Sequence, residues 1–184
     1  MHRQIPDFRH AWPPLLIAAA LLGLAVAEHG LGTTGRPLSG IAEAVDGDTI
    51  RLAGDRVRLI GIDAPELAQT CTGANGQAWR CGEVARAKMA GLLAGGKVAC
   101  RADSRDVYGR PLADCRVGDT DLGRAMVGAG LAIADGSYSR EEAAARTERL
   151  GIWDGSFTRP AEWRREHGET APRNPFGHLL RWLR

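Results

Sequence analysis

VDGDTIRLAGDRVRLIGIDAPE, residues Val45 to Glu66, decides how this chain folds. Asp46-Gly47 and Gly54-Asp55 are tight-turn pairs. Thr49 to Leu52 alternates, with Ile50 and Leu52 on one face, and Arg56 to Ile62 alternates, with Val57 and Leu59 on one face. A period of two predicts strands. Ile41 to Val45, an apolar run stopped by Asp46-Gly47, supplies another strand on the near side. The expectation is a three-stranded meander.

Farther along, residues 67–80 read as a loop held by Cys71 and Cys81. A helix is predicted from Gly82 to Leu93, where Val84, Ala87, Ala90 and Leu93 recur at helical spacing and Gly95-Gly96 stops it. Lys97–Arg101 and Pro111–Val117 are two more strands, forming a hairpin centred near Val107 and Tyr108. That register sets residue 100 opposite residue 115, within disulfide reach, so Cys100–Cys115 is predicted and Cys71–Cys81 remains by elimination. A second helix is expected over Asp121–Val127 with Thr120 as N-cap, and a third from Ser139 to Leu150, capped by Gly151. The fold class is α+β and mainly β, a five-stranded OB-type barrel with three packed helices.

With 184 residues, 25% charged and 44% apolar, the chain has the composition of a globular protein, which excludes disorder, collagen and coiled coil as its main description. Leu38 to Phe157 carries 15 basic and 17 acidic side chains, so a basic nucleic-acid coat is excluded and any such binding needs a local site. His2, Arg3, Arg9 and His10 precede the apolar run Ala11–Ala27, which ends in Ala25-Val26-Ala27. That pattern reads as a secretory signal peptide or a membrane anchor, with a buried core helix as a third reading; either of the first two places the domain outside the cytoplasm. An even count of four cysteines, without C-x2-C spacing, favours disulfides over free thiols or zinc.

Two acidic clusters, Asp46-Gly47-Asp48 and Asp63-Ala64-Pro65-Glu66, flank a basic strand. Asp48 opens one strand and Asp63 ends its neighbour, which brings two carboxylates together as a hard oxygen site suited to calcium, with magnesium second. Arg58 shares a strand with Asp63, and Arg110 follows the loop Asp106-Val107-Tyr108-Gly109. Carboxylates, a hard cation and two guanidinium groups are the parts needed to hydrolyse a phosphodiester. Strict alternation puts Arg58 on the face opposite Asp63, so a shared site requires a bend, for which Gly61 is the natural place.

In combination, VDGDTIRL (Val45–Leu52), RLIGIDAPE (Arg58–Glu66), DVYGR (Asp106–Arg110), GAGLAIA and RLGIW resemble the staphylococcal nuclease, or thermonuclease, family over residues 38–157. The resemblance implies an OB-fold barrel with three helices and a calcium-dependent nuclease acting on DNA and RNA to leave 3′-phosphate ends. Asp48, Asp63 and the backbone carbonyl of Ala64 would hold Ca2+, with Asp46 assisting through water. Arg58 and Arg110 would grip the phosphate, and Glu66 would orient or deprotonate the attacking water. Tyr108 and Tyr138 would be either nucleotide contacts or packing residues. The loop after Glu66 carries a cysteine pair in place of the family's lysines, and Val107 stands where a basic residue would help hold phosphate. With the negative core charge, these departures imply weak nonspecific affinity for nucleic acid.

The expected organisation is a signal or anchor over 1–27, a linker over 28–37, the nuclease-like domain over 38–157 and a basic, amphipathic tail over 158–184, which is either a short helix lying on a membrane, a frayed end or a segment docked on the domain. The expected partner is single-stranded DNA or RNA, with membrane association through an uncleaved N-terminal segment, and a monomeric state. The competing reading is a noncatalytic OB module binding nucleic acid or protein at the cell envelope.

Overall fold

Pairing of the meander fixes the rest of the architecture. In the computed structural model, which describes residues 35–168, eleven short strands and four α-helices are present. The expectations for the N-terminal apolar run, most of the linker, and the apolar tail residues from Phe176 onward lie outside the described residues. Among the described residues, no helix is long and apolar enough to cross a membrane.

The strands β1 (Arg36–Gly40), β2 (Ala42–Ala44), β3 (Thr49–Leu52), β4 (Asp55–Leu59), β8 (Val98–Arg105) and β9 (Pro111–Val117) form one curled sheet in the order β1-β8-β9-β4-β3-β2, with β10 (Thr120–Asp121) added on β9. Both outer strands of that path are successive pieces of one chain segment, interrupted at Ile41. β3 pairs antiparallel with β4, as the turn pair Gly54-Asp55 dictates, and β4 pairs parallel with β9 through Arg58↔Leu112 and Leu59↔Ala113. The β8–β9 hairpin has Cys100 opposite Cys115, and these two form a disulfide. Strand pairing begins at Arg36, two residues before the expected start of the domain, because β1 lies antiparallel on β8.

Inward faces of the strands make the core. Ile50, Leu52, Val57 and Leu59 are buried as their alternation required, each contributing about 1.5–3 kcal/mol by burial. Helix α1 (Cys81–Leu93) and helix α2 (Leu122–Gly128) close over them with Ala85, Met89, Leu122, Met126 and Val127. The buried face of α1 runs through Cys81, Ala85, Met89 and Leu93; Val84 is exposed, contrary to the sequence expectation. Ala85, Met89 and Leu93 of that face pack in the main core, and Cys81 at the first turn is bonded to Cys71. The N-cap of α2 is Asp121, whose carboxylate accepts from the Arg124 N–H, not Thr120. Helix α3 (Ser139–Thr147) stops earlier than expected, and a 3-10 turn, Gly151–Asp154, follows it.

A second, smaller cluster joins Cys71, Cys81, Ile133 and Ile152, with Trp79, Trp153 and Phe157 packed on it. It fastens residues 152–158 to the disulfide loop. Thr72 and Ser156 exchange two backbone hydrogen bonds of 2.9 Å, and the fully buried Gln69 side chain donates to the Thr158 carbonyl at 2.7 Å. The chain then enters a fourth helix, α4 (Pro160–Glu166), with Pro160 at its first turn and buried. This is the correction to the three-helix expectation: the first part of the expected tail is folded onto the domain.

Candidate active site

Asp48 stands immediately before β3, and the register Thr49↔Arg58 places it beside Arg58 of β4. Strand β4 ends at Leu59. Gly61 then takes a φ of +78°, and the chain resumes as β5 (Ile62–Asp63), which pairs with β11 (Ile133–Ala134). A Cβ at position 61 would lie 2.7 Å from the Ser137 Cβ, so both the conformation and the space require glycine. The bend turns Asp63 back to the side of Arg58. One guanidinium nitrogen of Arg58 lies 3.0 Å from Asp48 Oδ1 and the other 2.8 Å from Asp63 Oδ1. The convergence that strict alternation forbids is thereby achieved at Gly61.

Asp48 is held from several sides. Its Oδ2 accepts from the Ala64 N–H at 3.0 Å and its Oδ1 from the Thr49 hydroxyl at 3.1 Å. Burial pushes its carboxyl up to about 7, and Arg58 and the Ala64 N–H pull it back only in part. Asp46 uses its own carboxylate to accept from the Asp48 and Thr49 N–H groups, at 3.0 and 2.6 Å, which fixes the loop that presents Asp48. Glu66 sits where its loop meets the start of α1: the Gln69 N–H donates to its carbonyl at 2.7 Å, and a Cβ on Gly82 would come within 1.8 Å of that same carbonyl oxygen.

Arg110 is placed by the β8–β9 turn. Asp106 Oδ1 accepts from the backbone N–H of Tyr108 and of Arg110, both at 2.9 Å, and its Oδ2 accepts from Arg110 Nε at 2.7 Å. Partial burial opposes ionisation of Asp106, but the Arg110 hydrogen bonds win and hold its carboxyl below the usual range. The Arg110 guanidinium carbon lies 5.3 Å from the Tyr108 ring centre.

An open cleft of about 760 Å³ gathers Asp46, Arg58, Glu66, Tyr108, Arg110 and Arg164 on its walls. Tyr138 is not among its lining residues. Its hydroxyl donates to Asp121 Oδ1 at 3.1 Å, its ring packs on the core, and burial with the Asp121 charge raises its hydroxyl above the ordinary range.

Arg164 was not foreseen. From α4 it reaches Glu66 Oε1 at 2.6 Å and Asp63 at 2.9 and 3.3 Å. Pro160 followed by Ala-Glu-Trp is a legible helix start, but nothing in the sequence shows where that helix docks. The three carboxylates and two arginines make an alternating series, Asp48–Arg58–Asp63–Arg164–Glu66.

The donor chemistry of this series fits a hard divalent cation. Two almost fully buried carboxylates, Asp48 and Asp63, already converge on one cationic group. Among the described residues, no group of three or more His, Cys, Asp or Glu side chains is assembled to hold a metal ion, so further ligands would be backbone carbonyls and water.

Residues 56–155 match the family model described as staphylococcal nuclease homologue. The chain belongs to the staphylococcal nuclease family. Relatives of this staphylococcal nuclease homologue include the succinoglycan biosynthesis protein ExoI of Rhizobium meliloti (strain 1021), 36% identical over 141 residues that cover 73% of each chain. Protein ParB of Escherichia coli is 33% identical over 181 residues, 86% of this chain and 94% of that one. An uncharacterized endonuclease of Escherichia coli O157:H7 is 30% identical over 136 residues, 67% of this chain and 82% of its own. The family assigns an OB-type barrel to the curled sheet and a nuclease-type, hydrolytic activity to the domain. The matched region contains Arg58, Asp63, Glu66 and Arg110; Asp48 lies before it and Arg164 beyond it.

Proposed function

We propose that this staphylococcal nuclease homologue is a calcium-dependent phosphodiesterase that cleaves DNA and RNA, preferring single strands, outside the cytoplasm. The observation that supports this most directly is the common cleft of Arg58, Glu66 and Arg110, with Asp48 and Asp63 bonded to the Arg58 guanidinium. In this reading Asp48, Asp63 and the Ala64 carbonyl hold Ca2+, with Asp46 assisting through water. A bound Ca2+ supplies Lewis-acid charge to a phosphate oxygen. Arg58 exchanges its carboxylate partners for the phosphate, and Arg110, oriented by Asp106, stabilises the charge that grows on phosphorus. Glu66 accepts a proton from the attacking water as its oxygen bonds to phosphorus; the P–O5′ bond breaks, and the departing 5′ oxygen takes up a proton from solvent. Tyr108 on the cleft wall contacts the nucleotide, while Tyr138, committed to Asp121, is assigned to packing. By family resemblance the products carry 3′-phosphates. The two disulfides suit an oxidising compartment, in keeping with an exported or outward-facing anchored monomer.

The rival reading, a noncatalytic binding module, draws on the fact that Asp48, Asp63 and Glu66 are all paired with the chain's own arginines. Digestion of single-stranded DNA separates the two, run with calcium, with a chelator, and with Glu66→Gln and Arg110→Ala. Calcium-dependent cleavage that falls at least about a hundredfold in both variants is the expected result. Intact DNA with a folded, disulfide-bonded wild type favours the binding module.

A further inference from the structure

Building on the nuclease reading, we infer that Arg164 is a positioning residue of the site, supplied by a helix outside the family-matched region, which sets the Glu66 carboxylate and balances its charge against Asp63. Three observations lead there. The first is geometry: one guanidinium bridges the two carboxylates to which the reaction gives different tasks, at 2.6 Å to Glu66 and 2.9 Å to Asp63. Neighbouring carboxylates repel, and a planar guanidinium offers each a donor in a fixed direction. The second is location. Arg164 lines the same cleft as Arg58, Glu66 and Arg110, and its side chain is only 25% exposed, unlike a solvated surface arginine. The third is anchorage. Arg164 does not hang from a loose tail: the Thr72–Ser156 backbone pair, the Gln69 bond to the Thr158 carbonyl and the buried Pro160 fix the start of its helix. A residue so delivered to Glu66 sets the direction of the carboxylate that must meet the water.

The same contact has a consequence for the metal. A cation at Asp63 competes with Ca2+ for that carboxylate, so removing the charge strengthens calcium binding while it disorders Glu66.

The test uses the whole protein with Arg164→Gln and Arg164→Lys. With saturating calcium and single-stranded DNA, Arg164→Gln is expected to lower kcat by about 10- to 100-fold with KM within about threefold, and Arg164→Lys to restore part of the loss. Calorimetric titration of calcium without DNA is expected to give Arg164→Gln a Kd about fivefold lower than wild type. A variant that melts earlier but keeps both kcat and calcium Kd makes Arg164 a structural strut and overturns the inference alone. A rise in KM at constant kcat assigns it to substrate gripping and also overturns it. If the wild type binds calcium without cleaving, the nuclease reading fails; the coupling of Arg164 to Asp63 then stands on a tightened Kd and falls on an unchanged one. A wild type that neither cleaves nor binds calcium removes both.

Discussion

Asp48 is the residue on which the electrostatics of the site turn. It is buried, it faces Asp46 and Asp63 as well as Arg58, and its carboxyl is raised from 3.8 to about 7, first by burial. Between those two values the metal-free folded protein keeps a proton there that the unfolded chain has lost. The contribution of this group to stability is therefore complete below about pH 4 and lost as the pH rises through about 7. Thermal melts of metal-free protein should show that decline, and Asp48→Asn should flatten it. On the proposed calcium reading the metal needs the ionised Asp48 carboxylate, so its apparent affinity should climb with pH over the same window and level off above it. Titrations at pH 5, 6, 7 and 8 check the sign; an affinity independent of pH would remove Asp48 from the ligand set.

At the scale of elements, the contact between the Glu66 loop and α1 is the tightest constraint on the site. Alanine is ordinarily a better helix residue than glycine by about 1 kcal/mol, which would favour Gly82→Ala. Here the added methyl would stand 1.8 Å from the Glu66 carbonyl oxygen, and backbone cannot swing aside as a flexible side chain can. The substitution should therefore cost about 1–3 kcal/mol in a melt and lower cleavage as well, since the loop it displaces carries Glu66. The elements also show how far the sequence could be read. β3, β4 and the β8–β9 hairpin were legible because alternation and turn pairs are local, and the hairpin register gave Cys100–Cys115 directly. The bend at Gly61 was legible as a requirement, because Arg58 and Asp63 could not otherwise meet. The face of α1 was not. Val84-Ala87-Ala90-Leu93 and Cys81-Ala85-Met89-Leu93 both have helical spacing, and only the tertiary packing, with Ala85, Met89 and Leu93 in the main core and Cys81 bonded to Cys71, distinguishes them. Arg164 was illegible for a deeper reason: its partners are about a hundred positions away, and a short helix with two adjacent arginines looks like any solvated helix until its docking surface is known.

For the molecule as a whole, the small cluster around Cys71–Cys81 matters beyond its size. The disulfide closes a short loop, worth about 3 kcal/mol by chain entropy. That loop carries Thr72 and ends beside Gln69, the two residues that hold the segment leading into α4. Cys71→Ser with Cys81→Ser should therefore leave the curled sheet and the Cys100–Cys115 hairpin formed while loosening α4. The measurement is hydrogen exchange, with protection lost over residues 156–166 more than over β3, β4, β8 and β9. Cleavage by the double variant should fall with it. On the nuclease reading proposed above, the bond would act as a maturation check. A newly made chain that still carries two thiols there should hold Arg164 less firmly against its carboxylates, and on that reading it should digest nucleic acid poorly in dithiothreitol. The cell that makes the protein would be exposed to its full activity only after the chain had reached a place where sulfur is oxidised.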